Sequence, residues 1–396
     1  MGTETFCDSI KEELNNAYSG FFKEDWPTWL AGILIAFMAL MIFLWSSPWG
    51  IAAGYRNLGD WFFFLTGASC IKPVAPLLHP VFIINFGLFL GALASALISN
   101  QFKIRRAPAM EYVKGLAGGI LMGAGAALAG GCNVGGFYSA IGVLSIGGFA
   151  MMIGLGIGAY LGLKYLLWEM EHLPQKAVFQ QPESQKNKFD WSIIQPYLGG
   201  LILLLIVAGF YIYSFLDKTE LGGLLFFGLL IGLIMHRSRF CFVRAFRCPF
   251  MTGESEMVWV VVMSLMIYGF GSAVIKWNYL QPDTMGVYHP FWIGSLIGGV
   301  IFGIGMLLAG GCASSTLWRL GEGHTKLVLT FIAFAITNSL VLSLLKESGL
   351  IDKLGTGIFL PDILSWYIAV PFFVLILIGW IFIALWNEKS EKFVIF

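Results

Sequence analysis

Long apolar blocks alternate along this chain with short polar interruptions. Trp29 to Trp45, Leu198 to Leu216, Met257 to Ile275 and Ile368 to Trp386 each run close to the ~20 residues that cross a bilayer as a helix. A soluble core could not absorb them, because a single hydrophobic core stops growing at roughly 250 to 300 residues. The pattern predicts an all-α polytopic membrane protein.

The longest hydrophilic interruption runs from Glu169 to Asp190 and contains Pro174, Pro182 and three lysines. It divides the chain into a polar N-terminal tail (1–27), a first membrane repeat (28–168), a polar linker (169–193), a second membrane repeat (194–386) and a C-terminal tail (387–396). Sliding the halves over one another sets Gly118 to Cys132 (GGILMGAGAALAGGC) on Gly298 to Cys312 (GGVIFGIGMLLAGGC), an offset of 180 residues with nine of 15 positions identical. Shared glycine content does not produce a shared register ending in the same Gly-Gly-Cys, so the match points to internal duplication. A weaker echo sets Gly50 to Trp61 beside Gly232 to Val243 at an offset of 182, which would place Gly59 opposite Cys241.

The repeated segments are short for spans. Gly115 to Gly131 and Gly294 to Gly311 hold 17 and 18 residues, and each stops at Gly-Gly-Cys before residues that favour helix N-caps: Asn133 in one case, Ser314, Ser315 and Thr316 in the other. Two helices are therefore expected to break at Cys132 and Cys312. A break exposes backbone N–H groups and the positive end of the following half-helix, which suits an anion, and irregular backbone at membrane depth survives only where it lines a cavity or is buried in protein.

Composition agrees with the pattern: 58% of the residues are hydrophobic and 12% charged, against about 25% charged in soluble domains. The formal net charge of +1 provides no bulk field to recruit nucleic acid. The mixed, acidic first 27 residues lack the positive start of a cleavable signal peptide, so Trp29 to Trp45 reads as a retained span. No Walker motif or dinucleotide fingerprint is present, and no cofactor is expected.

Six cysteines occur without a CxxC pair, and none of the five histidines makes a ligand spacing with another His or with Cys, so free thiols and no metal are expected. Cys132 and Cys312 read either as small buried hydrophobes where helices approach closely or as groups lining a pathway. Their placement at two symmetric breaks favours the pathway. Cys241 lies in HRSRFCFVRAFRCPF (His236 to Phe250) with Arg237, Arg239, Arg244 and Arg247. That segment fits a topogenic cytoplasmic loop and also an anion vestibule with a thiol at its base. Lys103 to Lys114 reads as a topogenic loop alone. Cys7, Cys70 and Cys248 stay outside the site. No Asp or Glu sits inside a long apolar block, so a carboxylate proton relay is not evident.

The paired Gly-Gly-Cys segments, with Arg239 to Arg247 (RFCFVRAFR) and Thr252-Gly253, resemble the YeeE/YedE sulphur-transport family, closest in length and layout to its YedE branch. The resemblance implies a prokaryotic inner-membrane protein that takes up thiosulfate or a related sulphur or selenium anion. Spanning and re-entrant helices would form an hourglass around a central constriction. It also implies that Cys132, Cys241 and Cys312 line the path and pass the anion through S–H···S hydrogen bonds. Gly130, Gly131, Gly310 and Gly311 would form the breaks, Asn133 and Ser314 would support them, and Arg239 or Arg244 would gather anions. The expected partners are the anion, membrane lipid and a TusA-like soluble sulphur carrier, a separate protein since no such domain follows Phe396. From the residues alone, a membrane thiol oxidoreductase and a small-solute channel with structural cysteines remain alternatives.

Overall fold

The computed structural model describes residue 13, residues 18–172 and residues 191–395; Cys7, Phe396 and most of the polar linker lie outside them. The described part is helical. In chain order the helices are α1 (Thr28–Trp45), α2 (Ala52–Leu65), α3 (Pro80–Ile98), α4 (Ala109–Leu128), α5 (Asn133–Gly142) and α6 (Ile146–His172). After the linker come α7 (Trp191–Phe215), α8 (Thr219–Ser238), α9 (Phe242–Met251), α10 (Glu256–Trp277), α11 (Ile293–Ala309), α12 (Ala313–Gly321), α13 (Lys326–Glu347) and α14 (Leu360–Ser390). Ten helices or bent pairs among the described residues are long and apolar enough to cross a membrane. The multi-pass architecture read from the apolar blocks is present.

Element order makes the duplication explicit: α1 to α6 recur as α8 to α13, while α7 and α14 stand outside the repeat. Each repeat holds two short helices directly after a break. Helices of nine or ten residues, such as α9 and α12, reach about 15 Å at 1.5 Å per residue, half of a ~30 Å hydrocarbon core. They are half-helices.

The repeated glycine motif is where the two halves meet. A Cβ on Gly118 would stand 2.6 Å from the Gly305 carbonyl oxygen, and one on Gly125 would stand 2.6 Å from that of Gly298. Since Gly118 matches Gly298 and Gly125 matches Gly305 in the repeat, the contacts are reciprocal, as a twofold relation requires. The partner number falls as the α4 number rises, so α4 and α11 run antiparallel. The halves are therefore inverted, with their pseudo-axis in the membrane plane. Small residues permit this approach where lipid supplies no hydrophobic drive between helices.

The breaks have a shared backbone. Gly130 and Gly310 take left-handed φ of 69° and 75°, and the two following cysteines are extended, with φ/ψ of −82°/−176° at Cys132 and −88°/−175° at Cys312. Gly311 N–H donates to the Met306 carbonyl at 3.0 Å and Gly310 N–H to that of Leu307 at 3.1 Å, the paired closure by which a left-handed glycine ends a helix. The third break uses Arg239, φ 56°, two residues before Cys241. A non-glycine residue there is held by its surroundings.

The weaker echo is corrected. Cys241 immediately precedes α9, and the residue in the equivalent place of the first repeat, immediately preceding α2, is Ile51. Gly59 instead lies within α2, buried against Ala335 and Ser339. Because α2 is four residues longer than α9, an ungapped match drawn inside the helices slid out of register.

Candidate functional site

Four half-helix N-termini, preceded by Ile51, Cys132, Cys241 and Cys312, are turned toward the interior. Side chains bind the breaks to each other. Asn85 Nδ2 donates to the Ile51 carbonyl at 2.9 Å, and Ser139 Oγ donates to that of Trp49 at 2.6 Å. The Tyr55 hydroxyl donates across the repeat boundary to the Ala313 carbonyl at 2.9 Å.

The cysteines form two stations. At the first, the Cys132 sulphur faces the backbone N–H groups of Val134 and Gly135 from its own half-helix and those of Ile51 and Ala52 from α2. At the second, the thiols of Cys241 and Cys312 adjoin one another, and Cys241 also neighbours Ser315, Arg319 and the backbone N–H of Arg244. Cys312 Sγ lies 3.3 Å from both Ser314 Oγ and Ser315 Oγ, and its backbone N–H donates to Ser315 Oγ at 2.6 Å. All five described cysteines are free.

A cavity of about 540 Å³ leads to Cys132 and is lined by Gly130, Gly131, Arg56, Tyr288 and Lys346 among others. Arg56 also lines an adjoining cavity with Asp60, Ser69 and Lys346. Cys241 and Cys312 are 2% and 0% exposed. The route beyond Cys132 is shut in this conformation.

The structure brings together Cys132, Cys241, Cys312, the four glycines and Ser314. Asn133 is fully buried, with neither amide atom hydrogen-bonded among the described residues. Arg239 is engaged elsewhere: it pairs with Glu322, donates to Gln101 Oε1 at 2.8 Å and lies 3.8 Å from Asp25. What Arg244 presents to Cys241 is its backbone N–H, while its side chain is half-buried. Cys70 is exposed and Cys248 is buried away from both stations. Among the described residues, no cluster of His, Cys, Asp or Glu could hold a metal ion.

The sequence reading missed Tyr55, Arg56, Lys346 and Tyr288, and also Glu322, which anchors a buried network. Glu322 is 2% exposed and accepts from Arg105 at 3.0 Å, from Arg239, and from His236 at 3.2 Å. Burial alone would raise its carboxyl, but the His236 hydrogen bond and the Arg239 charge outweigh that and hold it at about 2. Polar residues bordering a break were the available signal: Tyr55-Arg56 follows Ile51 by one turn, and Glu322 closes α12.

His289 packs behind the first break, its Nε2 lying 3.1 Å from where a Cβ on Gly131 would stand. Burial pushes His289 down to about 4, and burial together with the Arg105 charge pushes His324 to about 4, from an ordinary 6.5. The folded protein keeps both rings neutral while the unfolded chain takes up their protons, so stability falls as pH drops from about 6.5 toward 4. Thermal melting in detergent is expected to occur at lower temperature at pH 5 than at pH 7.5, with a shallower slope in His289→Gln. A profile flat between those pH values contradicts this.

A family model described as Sulphur transport matches residues 6–161 and 237–394, most of the chain. The chain is similar to Probable transporter YedE of Escherichia coli (strain K12), 26% identical over 250 residues that make up 60% of this chain and 59% of that protein. It is also similar to Thiosulfate transporter TsuA of the same organism, 35% identical over 96 residues, 24% of this chain and 27% of that one. TsuA of Spirochaeta thermophila is 35% identical over 101 residues, 25% and 29% of the respective chains.

Proposed function

This chain belongs to the sulphur-transport family, and on that premise we propose that it moves thiosulfate, or a sulphur oxyanion like it, across the membrane through the two thiol stations. The observation that carries the reading is the inverted pair of breaks, each placing a thiol beside the N-termini of two half-helices. Each helix N-terminus bears about half a positive charge, so a pair opposes roughly one charge of a dianion. The oxygens meet backbone N–H groups, while a thiol, a weak donor, meets the soft terminal sulphur. Conduction needs binding of this weak, divided kind. A selenium-containing anion would offer an equally soft terminal atom.

Charge distribution supports a direction. The loop of Lys103, Arg105 and Arg106 packs on Glu322 to Thr325, beside Arg237 and Arg239, whereas the face bearing Arg56 and Lys346 carries fewer cations. By the positive-inside rule the basic face is cytoplasmic in a prokaryotic inner membrane. Anions then enter at Arg56, meet Cys132, and leave past Cys241 and Cys312 toward Arg244, Arg247 and Arg319. A TusA-like carrier would receive the sulphur there. Arg239, bound to Glu322, acts in holding the inner half-helix instead of collecting anions.

Growth of a thiosulfate-uptake-deficient host on thiosulfate as sole sulphur source tests this: expression should restore growth, and failure of the expressed, membrane-inserted protein to do so rejects it. The adjoining Cys241 and Cys312 thiols keep a second reading open, a membrane thiol oxidoreductase. It requires those two to form a disulfide during turnover, which differential alkylation and mass spectrometry detect.

A further inference from the structure

The two stations are separated by one side chain. Tyr55 stands one turn into α2, whose first N–H groups face Cys132, yet its hydroxyl reaches Ala313, the residue after Cys312. Cys132 and Cys312 both neighbour its phenol. The ring is 1% exposed and is walled by Phe331 and Phe334 at centroid distances of 4.7 and 4.6 Å. An anion leaving Cys132 for Cys312 must pass it.

Building on the transport reading above, we propose that Tyr55 passes the anion between the stations and excludes sulfate, its hydroxyl exchanging the Ala313 carbonyl for an anion oxygen while its ring keeps the interval closed. The exchange replaces one hydrogen bond by a charge-assisted one, so the hydroxyl loses no partner on release from Ala313. Sulfate and thiosulfate carry the same charge and differ at one vertex, an oxygen against a soft sulphur. Between two phenyl rings and two thiol stations, one hydroxyl is the strong side-chain donor, and the fourth oxygen of sulfate would be left without one. A site that leaves a buried acceptor unpaired discriminates by roughly tenfold to a hundredfold. The sulphur vertex of thiosulfate demands less, since it is matched by thiols.

The test is flux of labelled thiosulfate and labelled sulfate into vesicles reconstituted with the full chain. Tyr55→Phe keeps the ring stacking and removes the donor. It should lower thiosulfate flux about tenfold or more, while the rise in melting temperature on adding thiosulfate, which reports binding at Cys132, persists. Tyr55→Ala removes the ring and should admit sulfate at a rate approaching that of thiosulfate. Wild-type thiosulfate flux in Tyr55→Phe, or unaltered sulfate exclusion in Tyr55→Ala, overturns the proposal while leaving the transport reading intact. Wild-type vesicles that take up no thiosulfate overturn that reading and this inference with it.

Discussion

Replacing Cys132 or Cys312 by alanine should reduce thiosulfate uptake about a hundredfold or more in a protein that still inserts and folds. Each thiol stands at the meeting of two half-helix N-termini, so each removal deletes the group that receives the anion's sulphur at its station. Hydrogen bonds to a charged partner contribute about 1.5–3 kcal/mol, and a loss of about 2.7 kcal/mol from the barrier-lowering interaction is a hundredfold in rate. Because the stations act in series, either variant alone limits flux. Folding should tolerate the change, since free cysteine packs as a small hydrophobe and both sites are already buried. Cys248→Ala is the matched control: equally free, 7% exposed, and away from both stations. It should transport normally. Labelled uptake in whole cells, normalised to membrane-inserted protein, reads the effect, and normal uptake in both Cys132→Ala and Cys312→Ala would remove the thiols from the mechanism.

Glu322→Ala should be the most destabilising single change on the cytoplasmic face, by about 3–5 kcal/mol, the usual result of leaving buried charges without their partner. Arg239, Arg105 and His236 converge on this carboxylate from three different segments. Losing it frees the C-terminal end of α12 and removes the interaction that supports Arg239 in its left-handed conformation two residues before Cys241. The inner station is thus expected to loosen, and uptake to fall with stability. Glu322→Gln keeps the shape and removes the charge, so most of the loss should remain. The pH sense follows from the carboxyl being held at about 2 against an ordinary 4.5. Its contribution is complete above about pH 4.5 and disappears as pH falls toward 2. Melting in detergent should therefore show the wild-type advantage over Glu322→Gln at pH 5 to 8 and its progressive loss below pH 4.5. Equal melting of the two proteins at neutral pH contradicts the assignment.

Much of the fold was legible because membranes restrict the chain so severely. Apolar block length sets the spans, and only a few residues in such a chain end a helix. Gly130-Gly131-Cys132 and Gly310-Gly311-Cys312 were readable as breaks since a left-handed closing residue needs glycine, and the repeat identified both. What remained hidden depends on contacts between segments far apart. Tyr55 and Ala313 are 258 residues apart, and nothing local to GIAAGYRNLGDW reports that its tyrosine crosses to the other repeat. Arg239 looked available for anions because a count of arginines does not reveal that Glu322, 83 residues on, already holds it. The inversion of the halves was likewise hidden: direct and inverted repeats share the same sequence match, and only the reciprocal glycine contacts of α4 and α11 distinguish them. Hydrophobicity placed the chain in a bilayer, whereas the site arose from where its few polar groups were brought together.

The central claim is that an anion with a soft sulphur terminus crosses by weak contacts to thiols that remain thiols. It is tested most directly by measuring labelled thiosulfate flux into liposomes containing the purified full chain, with alkylation of Cys132, Cys241 and Cys312 quantified before and after turnover. The account predicts concentration-dependent flux with all three cysteines still fully alkylatable. No flux above that of empty liposomes, or flux accompanied by a Cys241–Cys312 disulfide, would contradict it.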